Sequence, residues 1–93
     1  MNPDKAIFTD HALKRGKEMC LSEKRMRGLL GGAIRLKRNF RREVYKLLKY
    51  GTRQGDISYY YRKESLKYPP LLFTVEEGDE PVVITVTLKK GKV

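Results

Sequence analysis

The first third of the chain carries apolar residues at helical spacing. They share one face of a helix that would follow residue 10, and they are Ala12, Leu13, Gly16, Met19 and Cys20. Thr9 or Asp10 can accept the free backbone N–H groups at the start of this helix. The pattern predicts a first helix whose other face carries His11, Lys14, Arg15 and Glu18 towards solvent or a ligand.

A second helix is predicted directly after the first. Its apolar stripe consists of Met26, Leu29, Leu30 and Ala33. Ser22 is the candidate N-cap, and Gly31-Gly32 is a natural stop. Ahead of both helices, Ile7 and Phe8 suit a brief strand or an anchoring segment. The first half of the chain is therefore predicted to be a helical pair.

Three segments of the second half have the composition of strands: residues 57–62, 71–75 and 82–88. The last segment alternates, with Val82, Ile84, Val86 and Leu88 on one face and Val83, Thr85 and Thr87 on the other. Pro69-Pro70 would start the second strand at an edge or a turn. The acidic residues 76–81 would join the last two strands as a hairpin loop.

Residues 36–50 fit two different structures. Leu36, Phe40, Val44, Leu47 and Leu48 have the spacing of one helix face. Residues 45–50, followed by a glycine-containing turn and the strand at 57–62, fit a pair of strands equally well. Periodicity alone does not decide between a helix and a strand here.

Composition narrows the class of protein. The 93 residues are 40% hydrophobic and 34% charged, which suits a single domain over residues 1–93 with a modest core. No apolar run approaches the roughly 20 residues that span a bilayer, and the amino terminus lacks the apolar segment of a secretory signal. Cys20, the single cysteine, can form neither an internal disulfide nor a thiolate metal site alone. These features predict a cytoplasmic protein with no metal, no cofactor and no membrane attachment.

The net charge of +10 is concentrated in one half of the chain. Residues 1–50 hold 14 Lys and Arg against 5 Asp and Glu, whereas residues 51–93 hold 7 against 6. The densest basic segment is "RLKRNFRR", whose charges are Arg35, Lys37, Arg38, Arg41 and Arg42. Arginine side chains bind phosphate in a bidentate manner. The asymmetry is typical of binding to nucleic acid or another anionic surface, and a solvated basic face is the alternative.

Four stretches of the sequence resemble a small bacterial and phage family, domain of unknown function 4258. They cover most of residues 7–88 and read "FTDHALKRGKEMCLSEKRMRGLL", "YKLLKYGTRQGDISYYYR", "LLFTV" and "VVITVTL". That family is similar in layout to the RelE/ParE-type toxins and to other compact metal-independent ribonucleases. The resemblance implies an α+β fold in which two N-terminal helices pack on a twisted antiparallel sheet of about four strands, with an exposed face that handles RNA. It favours residues 44–50 as a strand, and it makes residues 35–42 a loop or short helix at the sheet's edge.

The first helix carries residues suited to RNA cleavage. Cleavage without a metal needs a base near the 2′-hydroxyl, a cation for the phosphate and an acid for the leaving oxygen. His11 is the only histidine, titrates near neutrality, and lies at a helix start that favours phosphate. Lys14 and Arg15 share its face. We predict His11 and Arg15 as catalytic candidates and Lys14 as a phosphate contact; alternatively, His11 only caps or packs against the helix start.

The strand at 57–62 adds an aromatic and basic pair. Alternation sends Tyr59 and Tyr61 to one face and Tyr60 and Arg62 to the other. If the first face packs on the helices, Tyr60 can stack a base and Arg62 can bind phosphate, or either can act as acid or charge clamp. Thr85 and Thr87 would hydrogen-bond RNA from an exposed strand face, although exposed threonines need no function.

Together these patterns predict an RNA-binding domain and a candidate metal-independent endoribonuclease of toxin or phage type. Its catalytic candidates are His11, Arg15, Tyr60 and Arg62. Two alternatives stay open. One is a nucleic-acid-binding module without catalysis. The other is a small interaction protein whose basic face docks an acidic protein such as an antitoxin.

Overall fold

The computed structural model describes residues 2–36 and 56–88. Within them the chain is α+β, with two helices and a five-stranded mixed sheet. A 3-10 turn at Pro3–Lys5 leads into the first strand. The elements that follow are β1 (Ile7–Phe8), α1 (Asp10–Glu18), α2 (Glu23–Gly31), β2 (Ile34–Leu36), β3 (Ile57–Arg62), β4 (Leu71–Glu76) and β5 (Val82–Leu88). The strand predicted at 44–50 lies outside the described residues.

Both helices begin where a side-chain hydroxyl accepts a backbone N–H. Thr9 Oγ1 accepts from the Ala12 amide at 3.1 Å, and Ser22 Oγ accepts from the Arg25 amide at 3.1 Å. The predicted cap at Ser22 is confirmed, and Thr9 is the one of the two candidates that caps α1. α2 ends at Gly31 as predicted. Neither helix, nor any other in the described ranges, has the length and apolar character needed to cross a bilayer.

α1 is shorter than its apolar pattern indicates. It ends at Glu18, and the amides of Cys20 and Leu21 donate to Lys17 O and Gly16 O at 3.0 and 2.8 Å. This is a Schellman cap, with Cys20 in the left-handed conformation at a φ of 59°. The cap turns the chain so that Leu21 enters the core while Cys20 is exposed. The prediction that Cys20 lies on the buried helix face is therefore wrong.

The helices cover one face of the sheet. Ala12, Met26 and Leu30 meet Phe73 and Val75 in a single cluster of side chains that are almost wholly removed from water. Each large side chain buried in this way contributes roughly 1.5–3 kcal/mol to stability. α1 packs on β5, whereas α2 contacts β3. The two helices therefore bring their exposed residues to different parts of the surface.

The sheet is mixed, and its strand order is β1-β5-β4-β3-β2. β3, β4 and β5 form the antiparallel centre that the sequence predicts. β1 adds a parallel edge beside β5, where Ile7 N and Thr9 N donate to Pro81 O and Val83 O. β2 pairs antiparallel with β3, so Arg35 begins the basic segment inside a strand. The prediction of an antiparallel sheet of about four strands is therefore corrected, because the sheet is mixed and has five strands.

A register shift between Thr74 and Val75 changes which residues of β5 share a face. Thr74 pairs with Thr85, but Val75 pairs with Val83, so Ile84 is the extra residue of a β-bulge. Val83 and Val86 both enter the core beneath the helices as a result. The predicted alternation, with these two valines on opposite faces, is wrong because it assumes a regular strand.

Candidate anion-binding site

The residues predicted on the outer face of α1 are where the helical pattern puts them. Lys14 is exposed, and His11 and Arg15 are half-buried. Arg15 Nη1 donates to Glu18 Oε2 at 3.4 Å, one turn along the same helix. Both side chains of this ion pair are about half exposed, 43% and 52%, so the pair contributes little to stability.

Tyr60 is not on an exposed face. It belongs to the core cluster beneath the helices and is 8% exposed, whereas base stacking requires an open ring. Its hydroxyl donates to Glu77 Oε1. Burial, together with that hydrogen bond, raises the pKa of Tyr60 to about 12, while the charge of Arg35 acts in the opposite direction. Tyr60 therefore holds its proton at neutral pH, and the expectation that it stacks a base is wrong.

The opposite face of the sheet is also closed at its centre. Tyr59, Thr74 and Thr85 are paired across β3, β4 and β5, and each is 2% exposed. Thr85 Oγ1 has no hydrogen-bond partner among the described residues. The predicted exposure of Thr85 to RNA is therefore wrong. Thr87, nearer the strand end, is half-buried.

The basic segment at 35–42 enters the described residues only at its start. Arg35 is exposed and lies opposite Tyr60 in the β2–β3 pair. Lys37, Arg38, Arg41 and Arg42 lie outside the described residues, and their predicted contacts with nucleic acid stay predictions.

Three of the four predicted catalytic side chains, Arg15, Tyr60 and Arg62, have different hydrogen-bond partners. Arg15 binds Glu18 on α1, and Tyr60 binds Glu77 at the start of the acidic loop. Arg62, on the same strand as Tyr60, donates from Nε to Tyr68 Oη at 3.1 Å. Because α1 packs on β5 and β3 lies under α2, the α1 residues and Arg62 occupy different regions of the molecule.

Arg62 instead takes part in a cluster with Arg25 and Tyr68. The guanidinium carbons of Arg62 and Arg25 lie 5.6 and 5.8 Å from the centre of the Tyr68 ring. Both distances are within the range of a cation–π interaction. We refer to Arg25, Arg62 and Tyr68 as the arginine–tyrosine cluster.

Three separate elements build this cluster. Arg25 lies on the exposed side of α2, two residues past Glu23, where the helix begins. Arg62 is the last residue of β3. Tyr68 follows a tight turn closed by backbone hydrogen bonds in both directions between Ser65 and Tyr68, at 3.0 and 3.4 Å. The cluster is therefore set by the packing of α2 on β3 and by the turn that leaves β3.

The electrostatics of the cluster favour an anion. Within residues 2–36 and 56–88 the ion pairs are Arg15–Glu18 and Glu23–Arg27, so no described carboxylate neutralises Arg25 or Arg62. The hydrogen bond from Arg62, with the charges of both arginines, lowers the pKa of Tyr68. The same two positive charges attract a negatively charged ligand.

Further positive charge and open space surround the cluster. Lys24, Lys63 and Lys67 are all exposed and adjoin its members in sequence. The exposed acids nearest to them in sequence are Glu64 and Glu23, and Glu23 pairs with Arg27. A shallow hollow of about 380 Å³ beside Arg25 is lined by Ser22, Lys24, Gly28 and Leu29. A second hollow of about 810 Å³ is formed by residues 64–70, which include Tyr68. A polyanion can reach the cluster from solvent.

A metal ion has no evident place in the described part of the chain. Residues 2–36 and 56–88 contain no group of three His, Cys, Asp or Glu side chains arranged to hold one.

The sequence gives no periodic signal for two of the three cluster members. Arg25 reads as one of several charges on a helix face, and Tyr68 as a loop residue ahead of two prolines. The usable signal is compositional, because Tyr68 directly follows Lys67 and clustered basic residues are typical of nucleic-acid-binding surfaces.

Comparison of the chain with protein-family models, with curated proteins and with solved structures finds no match.

Proposed function

We propose that this protein binds RNA and that the arginine–tyrosine cluster contacts the RNA phosphates. The observation that carries the proposal is that two guanidinium groups are held at one tyrosine ring with no described carboxylate beside them. Phosphate supplies the missing negative charge, and the planar guanidinium fork matches its oxygens.

The charge of the whole chain supports the same ligand. A net charge of +10 on 93 residues attracts a polyanion over a distance, and it makes association faster and dependent on salt. The exposed lysines beside the cluster extend the positive surface along which a nucleic-acid backbone can lie. RNA is proposed ahead of DNA because of the resemblance to RNA-handling families.

We propose RNA binding, and a separate assay tests whether the protein also cleaves RNA. Arg15 and Arg62 have different partners on different elements, which supports a binding surface better than one catalytic centre. Incubation with labelled RNA in EDTA separates the two. A product ending in a cyclic phosphate, lost in His11→Ala, would make the protein an endoribonuclease.

The test of binding is a salt series with a double variant. Arg25→Gln with Arg62→Gln removes two phosphate contacts, so the slope of log affinity against log salt should flatten by about 1.4 on single-stranded RNA. Affinity at low salt should fall accordingly. Fluorescence anisotropy of a labelled oligonucleotide measures both quantities, and a DNA oligonucleotide of the same sequence tests the preference for RNA.

The matched control removes the same amount of charge elsewhere. Lys5→Gln with Lys17→Gln neutralises two exposed lysines that lie outside the cluster. This variant should keep the wild-type slope. Equal losses in both double variants would mean that only net charge matters, and the proposal of a defined site would then be abandoned.

A further inference from the structure

Gly32 occupies a position where the backbone does not require glycine. It is the C-cap of α2, with φ of −102° and ψ of 7°. These angles lie at negative φ, in a region that residues with side chains also adopt. The reason for glycine must therefore be found in what surrounds it.

The space that a side chain would fill at Gly32 is taken by Arg62. A Cβ placed there would lie 1.5 Å from Arg62 Nη1 and 2.7 Å from its Cζ. The guanidinium thus lies directly against the backbone at the end of α2. Gly28, one turn earlier on the helix, is different, because a Cβ there would have no heavy atom within 4 Å.

The end of α2 also attracts this positive charge. The carbonyl end of a helix carries partial negative charge, and α2 has no basic residue in its own last turn. Arg62, which comes from β3, supplies the cation there. This attraction offsets the repulsion between Arg62 and Arg25, which lie over the same tyrosine ring.

We infer that Gly32 is a positioning residue. Because it has no side chain, the Arg62 guanidinium can lie against the backbone and beside Tyr68, where it can bind phosphate. Only the statement that Arg62 binds phosphate rests on the proposed RNA binding. The placement of Arg62 by Gly32 can be tested without any nucleic acid.

The test is Gly32→Ala, with Gly28→Ala as the matched control. The added methyl group should push the mobile end of Arg62 away from Tyr68 while leaving the charge of the protein unchanged. Loss of the Arg62 hydrogen bond should raise the pKa of Tyr68 towards its ordinary value, which NMR of isotope-labelled tyrosine rings measures residue by residue. In RNA binding, the salt slope should flatten by about 0.7, the value for one contact. Gly28→Ala leaves the space beside Arg62 open, so the Tyr68 titration of this variant should match that of the wild type.

Arg62→Met is the second variant, because it keeps Gly32 but has neither the Nε donor nor the positive charge of Arg62. It should also raise the pKa of Tyr68. A Gly32→Ala protein that is folded by circular dichroism but titrates Tyr68 as the wild type does would overturn the inference. A shifted Tyr68 pKa with an unaltered salt slope would overturn the link to phosphate. If the wild type binds no RNA, the proposed function fails, whereas the Tyr68 titration still decides the role of Gly32.

Discussion

Arg25 and Arg27 share one helix but have different surroundings. Arg27 Nη1 donates to three backbone carbonyls of residues 3–6, at 2.7–3.3 Å, and its Nη2 donates to Glu23 at 3.1 Å. Its guanidinium also lies 5.2 Å from the Phe8 ring centre. It therefore fastens the amino-terminal segment to α2, whereas Arg25 faces solvent and Tyr68.

This difference predicts opposite outcomes for two similar substitutions. Arg27→Met should lower the free energy of unfolding by about 1.5–3 kcal/mol, because hydrogen bonds from a charged donor are lost. Arg25→Met should change it by about 0.5 kcal/mol or less, as expected for an exposed residue, yet weaken RNA binding. Urea unfolding measures the free energy of unfolding of both variants, and RNA titration measures their affinities for RNA. If Arg25→Met destabilises the fold as much as Arg27→Met does, the assignment of Arg25 to binding is wrong.

Tyr60 gives a prediction in alkaline solution. Its pKa is about 12 in the folded protein, above the ordinary 10.0, so folding favours the protonated phenol. The resulting stability is present below pH 10 and is lost as pH rises through 12. Tyr60→Phe should cost about 1 kcal/mol near neutral pH, through the lost bond to Glu77, and unfold with a shallower dependence on pH in the alkaline range. Tyr61→Phe, which removes a hydroxyl from the next residue of β3, is the control. Identical alkaline profiles for wild type and Tyr60→Phe would refute this account of Tyr60.

At the scale of elements, local chemistry was predictable and pairing was not. The cap at Ser22 and the strands β3, β4 and β5 follow from side-chain oxygens and β-branched runs that act within a few residues. β1 lies at residues 7–8, where a brief strand or an anchoring segment was predicted, but its parallel pairing with β5 was not predictable. β2 contains three residues, too few to show a period, and it pairs with a strand distant in sequence. The bulge at Ile84 likewise leaves no trace in the alternation of β5.

The same limit explains why the candidate site could not be assembled from the sequence. Arg62 could be named from its strand, but its partners could not, because Arg25 and Tyr68 reach it only once α2 packs on β3 and the Ser65–Tyr68 turn closes. Tyr60 was misplaced for a related reason. Alternation shows which residues share a face, and it does not show which of the two faces the helices cover.

At the scale of the whole molecule, folding brings positive side chains from both halves of the chain to one surface. Residues 1–50 hold most of the excess positive charge. The arginine–tyrosine cluster nevertheless draws Arg25 from that half and Arg62 with Tyr68 from the other. Folding therefore places unpaired positive charge from both halves on one surface, beside exposed lysines of α2 and of the loop after β3.

The most direct test of RNA binding at this surface is an NMR titration of the isotope-labelled protein with a short single-stranded RNA. We predict that the largest changes in chemical shift fall on the side-chain N–H groups of Arg25 and Arg62 and on the Tyr68 ring. They should saturate together and be reversed by added salt, as expected for phosphate contacts. Changes confined to the α1 face around His11 and Arg15, or the absence of any change at the cluster, would contradict the account.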